Sequence, residues 1–140
     1  MILEERLKRS IAQRADEVFI RSEFAKFGSE AQVSRALRRL LNCGHLVRLG
    51  VGVYAKAMKS TLSGNAIPVK PIGVLATVAL RKLGIQTFPS QATIEYNEGK
   101  TTQIPAGTVI NTGDRRITRK IGFGKRSVAY ERNKRNSVRP

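Results

Sequence analysis

Cysteine and histidine are nearly missing from this chain, which has one of each, Cys43 and His45. A lone cysteine excludes an internal disulfide and fits a reducing cytosol, so a cytoplasmic location is expected. One Cys with one His leaves a zinc site short of ligands unless carboxylates complete it, so neither a metal nor another cofactor is expected. No apolar run approaches the roughly 20 residues that span a bilayer, so no membrane partner is expected. The opening Met1-Ile2-Leu3-Glu4-Glu5-Arg6 mixes acids with a base and lacks the apolar stretch of a secretory signal. Acids are scarce too: 10 Asp and Glu stand against 26 Lys and Arg, a formal net charge of +16.

So large an excess of one sign repels itself unless a polyanion offsets it. Nucleic acid is the usual partner, because each neutralised phosphate releases a counterion. An anionic membrane surface and an acidic protein are the competing partners. The 140 residues, 41% of them hydrophobic, allow one domain or two small ones with a modest core.

Apolar residues at Leu3, Leu7 and Ile11 predict an amphipathic helix over residues 2–14, with Glu4 and Glu5 early and Arg14 late, as the helix dipole prefers. Val18, Phe19 and Ile20 form a short β-prone run. Ser22 is expected to cap a brief helix ending at Gly28. Ser29 and Gln32 make a capping-box pattern for the next helix. Behind them Val33, Ala36, Leu37, Leu40 and Leu41 form an apolar stripe, and Gly44 suits the left-handed position past the helix end. Two β-prone runs, residues 45–49 and 53–56, flank Gly50-Val51-Gly52 and predict a hairpin. Two short helices joined by a Gly-containing turn, followed by a hairpin, is the order of a winged helix-turn-helix.

The domain expectation is a winged helix-turn-helix over residues 1–56, a linker over 57–71, a small basic α+β domain over 72–132, and a disordered basic tail over 133–140. The fold class is therefore α+β. In the second half a helix is expected over 72–83, one helical turn over 92–96, and strands over 85–88, 101–104, 108–111, 116–121 and 127–131.

The helix over 29–43 carries the strongest functional pattern. Its stripe turns Gln32, Arg35, Arg38, Arg39 and Asn42 outward. In the major groove Gln32 and Arg35 suit adenine and guanine edges, while Arg38 or Arg39 would hold the phosphate backbone. The plainer alternative is a surface helix with a wet, arginine-rich face. At the hairpin tip, Arg48 and nearby backbone amides suit a phosphate or the minor groove, or simply build an ordinary turn. Residues 57–140 hold 15 basic and 4 acidic side chains, a net +11, against +5 in residues 1–56. Six of these positives, Arg115, Arg116, Arg119, Lys120, Lys125 and Arg126, fall within residues 114–126 against one acid. They make a second polyanion-binding candidate led by Arg115, Arg116, Arg119 and Lys120, whose bland alternative is a solvated strand face.

No enzyme is expected. Cys43 and His45 lie together at a helix end, where nucleophile–base geometry is unusual and no third orienting group is in view. Gly122-Phe123-Gly124 is too short for a phosphate loop and reads as a turn or bulge.

Three stretches carry a family resemblance: Phe19-Ile20-Arg21-Ser22-Glu23-Phe24, the run Gln32-Val33-Ser34-Arg35-Ala36-Leu37-Arg38-Arg39-Leu40, and Leu46-Val47-Arg48-Leu49-Gly50-Val51-Gly52-Val53-Tyr54-Ala55-Lys56. Together they resemble the AbiEi-type antitoxins of bacterial type IV toxin–antitoxin systems, and more closely a group of short proteins related to them. Tyr96-Asn97, residues 101–105 and residues 116–124 extend the likeness. It implies a winged helix-turn-helix that represses its own operon at double-stranded promoter repeats, and a C-terminal domain that counteracts a nucleotidyltransferase-like toxin. Under it Gln32, Arg35, Arg38 and Arg39 form the DNA-reading set, with Arg48 on the wing; Ser34, on the same helix, is a further DNA-binding candidate. The second half is short for a complete antitoxin domain, so a stand-alone regulator is the variant expectation. Such regulators often act as homodimers on paired half-sites. The alternatives are an interaction protein that binds an acidic toxin, or a nonspecific nucleic-acid binder.

Overall fold

The computed structural model of the chain describes residues 2–100 and 109–132. Helix and sheet are mixed, as an α+β chain requires, and the chain divides into two units, residues 1–71 and 72–140.

In the first unit α1 (Leu3–Gln13) is followed by β1 (Val18–Ile20), a 3-10 turn (Arg21–Phe27) and α2 (Glu30–Asn42). Next come β2 (Leu46–Gly50), β3 (Val53–Lys59) and β4 (Ala66–Pro68). The apolar stripes of α1 and α2 bury Leu7 and Ile11 against Val33, Leu37 and Leu40. Phe19, Phe24 and Leu46 close the core. The Phe19 and Phe24 rings meet at 5.8 Å between centroids, an ordinary aromatic pair. β3 lies between β1 and β2, antiparallel to both, and β2 slips register between Arg48 and Gly50. That slip is a bulge next to the turn, where Gly52 takes a φ of +69° that a side chain would strain.

The ends of α2 follow from local chemistry. Ser29 Oγ accepts from the Gln32 N–H at 3.2 Å and Gln32 Oε1 accepts from the Ser29 N–H at 2.9 Å, the reciprocal capping box expected from the sequence. Past the other end Gly44 is left-handed (φ +80°). Its N–H donates to the Leu41 carbonyl and the His45 N–H donates to the Leu40 carbonyl, a Schellman closure.

Three expectations in this unit change. Residues 57–71 are not a linker: β3 runs on to Lys59, and Ala66–Pro68 pairs with it through Ala57, Met58 and Lys59. Backbone pairing outweighs the turn-forming composition there. Ser22 does not cap the second helical segment, which is 3-10 and begins a residue earlier. Glu23 Oε2 accepts the Ile20 N–H at 2.8 Å and occupies the capping role. Arg14 lies past the end of α1, in extended conformation. Its guanidinium binds Asp16 and Glu23 and stacks 5.0 Å from the Phe19 ring centroid, so it acts as a tertiary staple rather than a last-turn cation.

In the second unit α3 (Ile72–Lys82) buries Leu75, Ala76, Ala79 and Leu80, and α4 (Gln91–Asn97) is capped by Ser90 Oγ. β5 (Val109–Asn111) runs parallel to β8 (Ala129–Glu131), while β6 (Gly122–Phe123) and β7 (Arg126–Ser127) close a short hairpin. The strands expected over 85–88 and 116–121 do not form. Residue Phe88 makes one isolated bridge to Asn111, and 115–121 has no ladder partner. The strand expected over 101–104, the start of that over 108–111 and the basic tail over 133–140 lie outside the described residues.

Candidate nucleic-acid interface

The outer face of α2 follows from its inner one. Because Val33, Ala36, Leu37 and Leu40 are buried, Gln32, Arg35, Arg38, Arg39 and Asn42 are exposed. Arg35 and Arg38, one turn apart, make no ion pair or hydrogen bond with any described residue, so both guanidiniums are available to an external anion. Arg39 differs: its Nη1 pairs with Glu4 Oε1 at 3.1 Å, tying α2 to α1. The pair is largely exposed and weak, so a phosphate could compete for Arg39. Ser34 is half-buried on the flank of the stripe and is the least available of the set.

Gln32 also carries a constraint that spacing alone did not reveal. Its carboxamide oxygen is held by the Ser29 N–H. Bidentate reading of adenine needs both ends of the carboxamide, so in the capped geometry only its NH2 remains free.

Arg21 is the residue that sequence reasoning missed. Its backbone N–H donates to the Gly52 carbonyl at 2.8 Å, and its guanidinium donates to the Glu30 carbonyl at 2.8 Å. One residue thereby joins the hairpin turn to the start of α2. Both contacts are tertiary, and no local pattern announces them. At the tip Arg48 Nε donates to the Gly50 carbonyl at 3.2 Å, so Arg48 stiffens the turn while staying exposed. Val51, between the two glycines, is 74% exposed.

The second basic cluster lies on the irregular stretch after β5. Arg115, Arg116, Arg119 and Lys120 are all exposed. Buried polar groups fix the backbone beneath them. Asn111 Oδ1 accepts the Gly113 N–H at 2.8 Å, and Thr112 Oγ1 donates to the Arg115 carbonyl at 2.7 Å. The Tyr130 hydroxyl donates to the Arg119 carbonyl at 2.6 Å, and fully buried Ile121 accepts the Val128 N–H. Burial raises the Tyr130 phenol above its ordinary 10.0, with the Arg119 charge partly opposing the shift. Arg115 Nη1 reaches the Gly84 carbonyl at 3.4 Å, a long hydrogen bond. The structure thus brings Arg35 and Arg38 together on one face and the four later cations along another segment, each in its own unit.

Among the described residues no group of three His, Cys, Asp or Glu side chains could hold a metal ion, and no helix is long and apolar enough to cross a membrane. A family model matches residues 3–139. The chain belongs to DUF6088, a family of unknown function. No curated protein and no solved structure matches it. The DUF6088 match takes in both units and both basic clusters, so neither cluster is an appendage to the family's common region.

Proposed function

We propose that the first unit is a winged helix-turn-helix through which the protein binds double-stranded DNA, as an antitoxin-like repressor of its own operon in the bacterial cytoplasm. In this reading the 3-10 turn and α2 are the helix pair, α2 is the recognition helix, and the β2–β3 hairpin is the wing. The observation that carries it is the exposed Arg35–Arg38 pair on a helix capped at both ends, with Arg21 joining its start to the hairpin. A helix held at both ends presents its cations in fixed register, as groove reading demands. Arg35 is the base-reading candidate and Arg38 the backbone contact. Arg39 joins on release from Glu4, and Arg48 serves the wing. Gln32 is a single-donor contact and Ser34 a marginal one. No catalytic step is assigned to the protein, and a homodimer on paired half-sites is the expected assembly.

The second unit supplies sequence-independent phosphate contacts through Arg115, Arg116, Arg119 and Lys120. Its concentrated charge also favours a second reading, in which this unit binds an acidic, nucleotidyltransferase-like toxin. A neighbouring gene for such an enzyme would support the antitoxin role, and its absence a free-standing regulator.

The deciding experiment is a salt-titrated binding curve on the DNA upstream of the protein's own gene, beside a scrambled duplex of equal length. At least about a thousandfold preference for the natural sequence near physiological salt is expected. Equal binding to both duplexes, fading alike with salt, would overturn the repressor and leave only an electrostatic grip.

A further inference from the structure

On the first unit, a half-open pocket of about 230 Å³ is lined by α1, the C-terminal part of α2 and the base of the β2–β3 hairpin. Ala12, Ala57 and Val69 supply its open apolar wall, over a floor of almost wholly buried Ile11, Leu40 and Leu46. Its charged lining is of one sign: Lys8 and Lys56 contribute, with His45 beside them and, among the described residues, no Asp or Glu. Lys56 is held in place, its Nζ donating to the Arg14 carbonyl at 2.6 Å, which leaves two further N–H donors. A recess of this kind gives an apolar group a wall to pack against. This one combines such a wall with positive charge, one lysine of it held in place, the arrangement of a ligand site with a few convergent polar groups.

We propose that this pocket binds a small amphipathic monocarboxylic acid, its apolar body against Ala12, Ala57 and Val69 above the Ile11, Leu40 and Leu46 floor, and its carboxylate toward Lys8 and Lys56. Size limits the guest. A cavity of about 150 Å³ accepts a benzene ring, so this one has room for a ring and a short acid chain. The site is separate from the exposed face bearing Arg35 and Arg38, and it stands whether or not that face meets DNA.

The test is titration of the full-length protein with 3-phenylpropionate, followed by backbone amide NMR, with 3-phenylpropan-1-ol and acetate as controls. Saturable binding is expected, with a Kd on the order of a millimolar or tighter for so small a ligand. Shifts should concentrate at Ile11, Leu40, Leu46 and Ala57, while the alcohol and acetate bind about tenfold more weakly. Lys8→Met, an exposed change that spares the core, should weaken the acid about tenfold, the loss expected of a charge-assisted hydrogen bond. Ala57→Leu, which fills the pocket from β3, should abolish binding, and a melting curve checks that each variant is folded. No saturation, equal affinity for acid and alcohol, or undiminished binding by folded Ala57→Leu would each overturn the proposal.

Discussion

Arg35 and Arg38 stand one helical turn apart and are distinguished by position along α2. Arg35 lies nearer the capped N-terminus, the part of a recognition helix that meets base edges. Arg35→Ala is therefore expected to cost about 1–3 kcal/mol on the cognate duplex and to relax selectivity. Paired titrations on cognate and scrambled DNA check this, and an equal loss on both would make Arg35 a phosphate contact. Tyr130 tests the second unit. Its phenol is raised by burial, so the fold prefers the neutral form. The stability this provides is fully present below the unfolded pKa of about 10 and is lost as pH rises through the higher folded value. Denaturant melts across that window should show a falling stability that Tyr130→Phe flattens. An unchanged slope in the variant would assign the alkaline loss to other groups.

At the scale of elements, α2 depends on its ends. Ser29→Ala removes the Oγ acceptor for the Gln32 N–H and is expected to destabilise the first unit by about 1 kcal/mol. It also removes half of the reciprocal cap that restrains the Gln32 carboxamide. Denaturant unfolding gives the stability change, and a change below a few tenths of a kcal/mol would mean the cap is redundant with tertiary packing. The β2–β3 hairpin and both ends of α2 were legible because Ser29, Gln32, Gly44 and Gly52 act through neighbours a few residues away. The 3-10 turn was less legible: Ser22 has the chemistry of a cap, yet Glu23 takes the donor of Ile20. Serine and glutamate both suit a helix start, and spacing along the chain does not choose between them. Residues 57–71 misled for a related reason. Their composition favours turns, but β3 runs past the ends of β1 and β2, and its backbone beyond Lys56 pairs with Ala66–Pro68.

For the molecule as a whole, charge is unevenly divided, and the later cations matter through their sum. Replacing Arg115, Arg116, Arg119 and Lys120 with glutamine is expected to flatten the salt dependence of DNA binding, by about 0.9 in log–log slope for each phosphate that is no longer neutralised. Binding isotherms at several salt concentrations measure it, and an unchanged slope would assign this segment to a protein partner. All four positions belong to the second unit, while the core around α2 belongs to the first.

Periodicity and composition by themselves determined the α+β class, the buried stripe and outer arginines of α2, its caps, the hairpin and the excess of positive charge. These are properties of neighbouring residues and of sums, and both are written along the chain. Tertiary structure decided that Arg39 is tied to Glu4, that Arg14 staples α1 to the turn that follows, and that Arg21 joins α2 to the hairpin. It decided as well that residues 116–121, β-prone in sequence, stay outside any sheet. Each of these outcomes depends on a partner distant in sequence, and such a partner is set only when the core closes.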